Sequence, residues 1–358
     1  MNKVKIIAEA GVNHNGDIEL AKELVLAASE SGADFVKFQS FNTEDLVTPK
    51  ASQAPYQTKN SNIKESQHDM LKKLELSKES HFILKDKCES LGIGFLSTAF
   101  DLRSLNFLIN ELRFSTLKIP SGEITNGSLI LQSALSGCDL IISTGMSNLQ
   151  EVEDALGIVA YGYSFPNDNN PSKDKFKKAF NSSKGKELLK KKVSLLHCTT
   201  SYPANFEDLN LNSIDTLEKK FNLPVGYSDH SKGIEASIAA VAKGAHIIEK
   251  HLTLDRKLVG PDHLASIEPS EFSKLVSSIR NIEISLGDGL KEPKKSELEN
   301  KRVARKSIFA SQDIKKGELI TKEKLSIKRP EIGLNPMMIW DLIGSKAKKD
   351  YKKNEVFK

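Results

Sequence analysis

None of the 358 residues falls in a long apolar run, so no stretch of the chain offers itself as a membrane span, yet 39% hydrophobic content is enough for one large core and a small satellite domain. The stretch Met1 to Gly11 reaches Glu9 before a signal-peptide apolar region can form, which argues against export and makes a cytoplasmic enzyme the expectation. Cysteine is scarce. Cys88, Cys138 and Cys198 are an odd number at unrelated spacings, with no disulfide framework or zinc-site pattern. No glycine-rich phosphate loop or dinucleotide fingerprint occurs, so ATP and NAD have no visible cradle, and no internal repeat is present. The net charge of +5 is modest but unevenly spread: residues 287–358 carry 19 Lys+Arg against 11 Asp+Glu, leaving 33 against 36 for the rest. The tail has no aromatic-interleaved basic stripe, and its lysines are spread among glutamates, which disfavours nucleic acid and leaves an anionic substrate or a partner subunit.

What is present is a rhythm. Short apolar runs at Val4–Glu9, Phe35–Gln39, Gly94–Ser97, Thr116–Ile119, Leu140–Ser143, Val193–His197, Pro224–Ser228 and His246–His251 alternate with stretches of helical spacing, ending in Pro269–Leu286. Eight such units predict a (β/α)8 barrel over residues 1–286; a doubly wound open sheet is the alternative, because strand count does not prove closure. The polar stretch Ser40 to Met70 is too long for a plain connection and reads as a functional loop or lid. Residues 162–192, rich in Asn, Ser, Pro and Lys, read as a partly helical surface insertion without chemistry. A charged linker at 287–305 leads to a small α+β module at 306–358, short enough that docking on the barrel or on another subunit is expected.

The residues at or just past the strand ends are polar at all eight positions, and in a barrel these ends share the face where catalytic residues gather. His230 and His251 fall at neighbouring ends, where two imidazoles can share one divalent metal. Lys37 and Lys118 sit in apolar strands, where a lysine is costly unless it meets an anion; either a phosphate or carboxylate ligand or a local acid such as Glu9 or Glu123 would serve. Hydroxyls of Ser97, Thr98, Ser121, Ser143, Thr144 and Ser228 surround them, a set suited to a small, multiply charged anion. Glu9 and Glu123 are candidates to hold sugar hydroxyls or move a proton. Glu249 points away from its sequence neighbours and is given less weight, as a counter-charge to Lys250 or a ligand-orienting group. His14 and His197 remain open between structural and functional roles.

Ten ordered stretches, among them IIAEAGVNHNG at 6–16, VKFQSF at 36–41, LKIPSGE at 117–123, LLHCTTSYP at 195–203, VGYSDH at 225–230, IIEKHLTLD at 247–255, GPDHLAS at 260–266 and IKRPEIG at 327–333, cover the chain nearly end to end. In these the chain resembles the sialic acid synthases, which condense phosphoenolpyruvate with an N-acylated mannose-type sugar. The resemblance implies a (β/α)8 barrel followed by an antifreeze-like (SAF) domain, and a homodimer in which each C-terminal domain is swapped over the partner's active site. It further implies metal ligation by His230 and His251, with Mn²⁺ preferred and Mg²⁺ or Co²⁺ possible. Phosphoenolpyruvate falls to Lys37, Thr98, Lys118, Ser121, Ser143, Thr200 and Ser228; the open-chain sugar to Gln39, Glu123, Tyr202, Asp262 and Arg329; and the catalytic roles to Glu9, Glu123, Lys37 and Lys118. Thr200 stands where many members have an asparagine, which puts one phosphoenolpyruvate contact in doubt, and Ala99 and Pro120 also depart from the usual pattern. The first expectation is N-acetylneuraminate synthesis from N-acetylmannosamine. The second is legionaminate synthesis from 2,4-diacetamido-2,4,6-trideoxymannose; a metal-dependent sugar isomerase and an ice-binding module are more remote.

Overall fold

The computed structural model describes residues 3–61 and 63–358; Met1 and Asn2 of the expected barrel and Asn62 of the expected loop lie outside the described residues. The chain divides into two compact units, Met1–Gly287 and Asp288–Lys358. Among the described residues no helix is long and apolar enough to cross a membrane.

The first unit is a closed ring of eight parallel strands: β1 Lys5–Gly11, β2 Phe35–Ser40, β3 Gly94–Ala99, β4 Thr116–Ile119, β5 Asp139–Ser143, β6 Val193–Cys198, β7 Val225–Asp229 and β8 Ile247–His251. Strand β1 pairs with both β2 and β8, so the sheet has no edge and the open doubly wound alternative is excluded. Helices α1 Ile18–Glu30, α5 Lys78–Leu91, α6 Leu102–Asn110, α7 Gly127–Leu135, α8 Leu149–Ser164, α11 Ser213–Phe221, α12 Glu235–Ala242 and α13 Pro269–Leu286 follow strands 1 to 8 in turn. Several begin on a side-chain cap that the sequence supplies, as at Asp17, Ser77, Asp101 and Asn148, each accepting a backbone N–H of the first turn.

The two-residue period of the strands sorts the inside of the ring into layers. Ile7, Leu96, Ile141, Leu196 and Ile247, with Phe35 against them, form an apolar plug in the barrel interior. Two residues further along these strands, and on β4 and β7 beside them, stand Glu9, Lys37, Thr98, Lys118, Ser143, Cys198, Ser228 and Glu249. A charged layer is therefore stacked on an apolar one. The outward-facing strand residues join the helices in the main core.

Two segments interrupt the rhythm. The stretch after β2 carries three short helices, α2 Thr43–Leu46, α3 Pro55–Ser61 and α4 Gln67–Lys72, and the stretch after α8 forms α9 Lys173–Asn181 and α10 Ser183–Lys192, which pack on α8. The second of these is more regular than its composition suggests: α9 offers only Phe176, Ala179 and Phe180 as an apolar face among lysines.

In the second unit, helix α14 Leu298–Ala304 precedes an antiparallel pair, β9 Ser307–Ala310 with β10 Leu325–Lys328, and α15 Ile339–Leu342 follows. Ile308, Ala310, Ile314, Ile320, Leu325, Ala347, Tyr351 and Phe357 form its own small core.

Candidate active site

A cavity of about 340 Å³ opens above the charged layer, in the size range of small-molecule sites. Lys37 Nζ lies 2.7 Å from Glu9 Oε2 and 3.7 Å from Glu249 Oε1, and donates to Thr98 Oγ1 at 2.9 Å. Lys118 Nζ donates to both oxygens of Glu249 at 2.9 and 3.0 Å, and Ser228 Oγ donates to the same carboxylate at 3.1 Å. All four charged side chains are buried. The two lysines thus meet local acids, but the second acid is Glu249 and not Glu123.

Strand alternation explains the substitution. Glu249 and His251 face inward from β8, whereas Lys250 between them faces outward and pairs with Asp229 at 2.9 Å. Glu249 therefore does not counter Lys250; it is the common partner of both inward lysines. Glu123, expected to be catalytic and sugar-binding, lies beyond β4 in a short 3₁₀ turn, Ser121–Glu123, where the strand period no longer governs direction. It is absent from the cavity wall, and its Oε2 accepts from Asn126 Nδ2 at 2.7 Å.

The carboxylates are pushed apart in proton affinity. Burial raises Glu9, with the Glu249 charge adding to it against the pull of Lys37. Glu249 is buried too, but Lys118 and Lys37 outweigh that cost and hold it at about 2. Asp262, on the cavity wall, is lifted by burial and by Glu9 to about 7. A permanently ionised carboxylate thus sits beside two that retain protons more readily, the division of labour that proton transfer requires. Burial also lowers Lys118, while Glu249 and Glu9 more than offset burial at Lys37 and hold it above its usual value.

The same cavity has groups with nothing to bind. Ser143 Oγ and Thr200 Oγ1 are buried without a hydrogen-bond partner, as is His251 Nδ1. Buried polar atoms are normally paired, so a cluster of orphans around a cavity marks a ligand's place. Ser121 Oγ accepts from Gly145 N at 3.1 Å, and a side chain on Gly145 would strike Thr200, Ser121 and Cys198. This close backbone approach draws the hydroxyls around one small volume. Thr200 therefore keeps a free polar group at the position where the family's asparagine is missing.

The rings of His230 and His251 are 5.5 Å apart, and burial holds His230 at about 4 and His251 well below its usual value, so both imidazoles are neutral, the form that ligates a metal. His230 Nδ1 lies 2.8 Å from Thr199 O, which makes it the N–H and leaves Nε2 with a lone pair. Together with the orphaned His251 Nδ1, this donor set fits a divalent ion completed by oxygen ligands. Among the described residues no group of three His, Cys, Asp or Glu forms a full protein cage. Tyr202 packs on His230 at 4.2 Å, meets His251 edge-on at 5.8 Å and stacks on Tyr56 at 4.8 Å. Gln39 Nε2 donates to Glu9 Oε1 at 3.1 Å.

Of the other expected residues, Arg329 belongs to the second unit, follows β10 and donates through Nε to Ala304 O. His197 is structural: its Nε2 bonds Leu209 O and its ring stacks on Tyr227. His14 is buried and does not line the cavity, with Gly16 N donating to its Nδ1. The segment after β2, expected to be a lid, lines the cavity with Leu46, Val47, Tyr56, Met70, Leu71 and Leu74, and Asn60 Nδ2 ties it to Tyr202 O and Pro261 O. The only sequence signal for these residues is the length of the segment.

A NeuB family model matches residues 24–291, and a SAF domain model matches residues 305–358. The chain is 46% identical over 358 residues, all of both proteins, to the N,N'-diacetyllegionaminic acid synthase of Campylobacter jejuni subsp. jejuni. It is 48% identical over 343 residues, 95% of this chain and 89% of the relative, to the N,N'-diacetyllegionaminic acid synthase of Legionella pneumophila subsp. pneumophila. Among solved structures it resembles the N-acetylneuraminic acid (sialic acid) synthetase of Leptospira borgpetersenii serovar Hardjo-bovis, with TM-score 0.67 and 38% identity over 84% of this chain and 90% of that one.

Proposed function

The chain belongs to the NeuB family, the nonulosonic acid synthases with a C-terminal antifreeze-like domain, and from that premise we propose that it condenses phosphoenolpyruvate with 2,4-diacetamido-2,4,6-trideoxymannose to give a legionaminic acid. The observation that carries the reaction is the inward charged layer, where two buried lysines and orphaned hydroxyls surround a cavity beside two neutral histidines. The sugar rests on the relatives. N-acetylmannosamine, the first expectation from the sequence, gives way to the second because the 46% and 48% relatives both carry the legionaminic acid name.

In this reading Lys37, Lys118 and the hydroxyls of Ser121, Ser143 and Thr200 hold the phosphate and carboxylate of phosphoenolpyruvate by charge-assisted hydrogen bonds. C3 of phosphoenolpyruvate bonds to the C1 aldehyde carbon of the open-chain sugar, water adds at C2, and phosphate leaves by C–O cleavage. Glu9, raised in proton affinity and in register with His251, supplies the proton that the former aldehyde oxygen takes up. Glu249 stays ionised and keeps both lysines fixed. His230 and His251 would hold a divalent ion, Mn²⁺ first among the candidates, which supplies Lewis acidity at the aldehyde. Tyr202, Gln39 and Asp262 position the sugar. The family resemblance adds a homodimer in which Arg329 of the partner subunit reaches the sugar's N-acyl group.

The experiment is phosphate release from phosphoenolpyruvate with Mn²⁺ and the diacetamido sugar, read with mass analysis of the product. A nonulosonic acid formed one-to-one with phosphate is expected; no release with any N-acylated mannosamine would overturn the proposal. Mixing Arg329→Ala with Lys118→Met chains tests the dimer. Each alone should be crippled and the mixture partly active, and a mixture no better than either parent would count against a shared site.

A further inference from the structure

The cavity has two unlike walls. One is the charged layer already described. The other belongs to the segment after β2 and its neighbours: Phe41, Met70 and Leu74 are buried in a satellite apolar cluster, separate from the main core, with Leu46, Leu71 and Phe100 packed against them, and all six line the cavity. Val47 continues the surface. An apolar cluster that fills only its own interior would show the cavity at most a residue or two; here every one of these members borders it.

The positions of the polar groups decide what this wall meets. The lysines and orphaned hydroxyls take the anion, and the histidine pair takes the C1 end of the sugar. With Gln39, Tyr202 and Asp262 beside the middle of the sugar, the surface left for its far end is this apolar wall, bordered by Tyr56, Gln57 and Gln67. A hexose would lay its C6 hydroxyl against side chains of the wall that cannot hydrogen-bond it. A 6-deoxy sugar presents a methyl group there, and an N-acyl group at C4 presents a second.

We propose that this apolar shelf, from Leu46 and Val47 to Met70, Leu71 and Leu74, is the specificity determinant of the site and selects sugars that are deoxy at C6. The inference rests on the condensation proposed above and deepens it by tying the choice of sugar to named side chains. Gln67, at the shelf's border, offers an amide to the second N-acyl group.

The test compares kcat/KM of the full chain for three sugars: the diacetamido trideoxy sugar, 2-acetamido-2,6-dideoxymannose and N-acetylmannosamine. The second and third differ only in the C6 hydroxyl, and the 6-deoxy member should be favoured by about 10-fold, the scale on which an apolar pocket discriminates. Leu71→Asn and Val47→Thr should shrink that ratio to within about threefold while the KM for phosphoenolpyruvate holds, with thermal melts confirming that both fold. Equal use of the two sugars by the wild type, or a ratio unmoved in folded variants, overturns the shelf and leaves the condensation standing. Should a variant fail to fold, the wild-type sugar series decides by itself. If no sugar supports phosphate release, the condensation and the shelf fall together.

Discussion

Two kinds of buried lysine–carboxylate pair occupy the same end of the barrel, one facing in and one facing out, and they are finished differently. Outside, Lys250 and Asp229 are fully buried at 2.9 Å; Asp229 Oδ1 also accepts from Ser231 N and Oγ, and Oδ2 from Ser237 Oγ. Nothing there awaits a ligand. Inside, Lys118–Glu249 and Lys37–Glu9 are also buried, yet they border a cavity in which Ser143, Thr200 and His251 are left unpartnered. Burial of a charge pair does not by itself distinguish a strut from a site. The distinction lies in whether the surrounding polar atoms are satisfied without a ligand.

That contrast can be broken most forcefully from outside. Lys250→Met strands a buried Asp229 and should cost about 3–5 kcal/mol of unfolding free energy in denaturant titrations. Lys118→Met leaves Glu249 with Lys37 at 3.7 Å and Ser228 as partners, so it should cost less stability than the outer variant while lowering kcat by about 10²–10³-fold in the phosphate-release assay. An inner variant that melted early and an outer one that only lost activity would reverse the assignment.

Next in size is a pH effect. The folded chain holds a proton on Asp262 up to about pH 7 that the unfolded chain releases near the usual carboxylate value. The stability tied to this group is present below about pH 4 and drains away as pH rises toward 7, by up to about 1.4 kcal/mol per pH unit. Asp262→Asn should remove that slope from the pH dependence of unfolding; an unchanged slope would place the proton elsewhere. Thr200→Val should raise the KM for phosphoenolpyruvate about fivefold, the loss of one hydrogen bond. Glu123→Gln should change either KM by less than about twofold, because Glu123 faces Asn126 and not the cavity.

How much of this was legible in the sequence follows from where local periodicity governs direction. The eight strands announce themselves as short apolar runs, and Lys37 and Lys118 stand out because a lysine inside such a run needs a partner. His230 and His251 are legible because β7 and β8 are neighbours in any closed barrel of this order. Glu249 is harder to read, since its neighbour Lys250 is the obvious counter-charge in sequence and the wrong one in space. Glu123 is harder to place for another reason: it follows a strand, but it lies in the 3₁₀ turn Ser121–Glu123, where the strand period no longer fixes direction, and it accepts from Asn126. The apolar shelf is invisible to pattern, because its side chains come from residues 41–47, 70–74 and 100 and meet only when the segment after β2 folds over the rim.

An inner layer that is an anion site and an outer pair that is a strut differ in one binding measurement: calorimetric titration of phosphoenolpyruvate into wild-type, Lys118→Met and folded Lys250→Met/Asp229→Leu chains. Binding to the wild type and the outer double variant, with loss of binding in Lys118→Met, is the predicted result. No binding to the wild type, or undiminished binding to Lys118→Met, would contradict it.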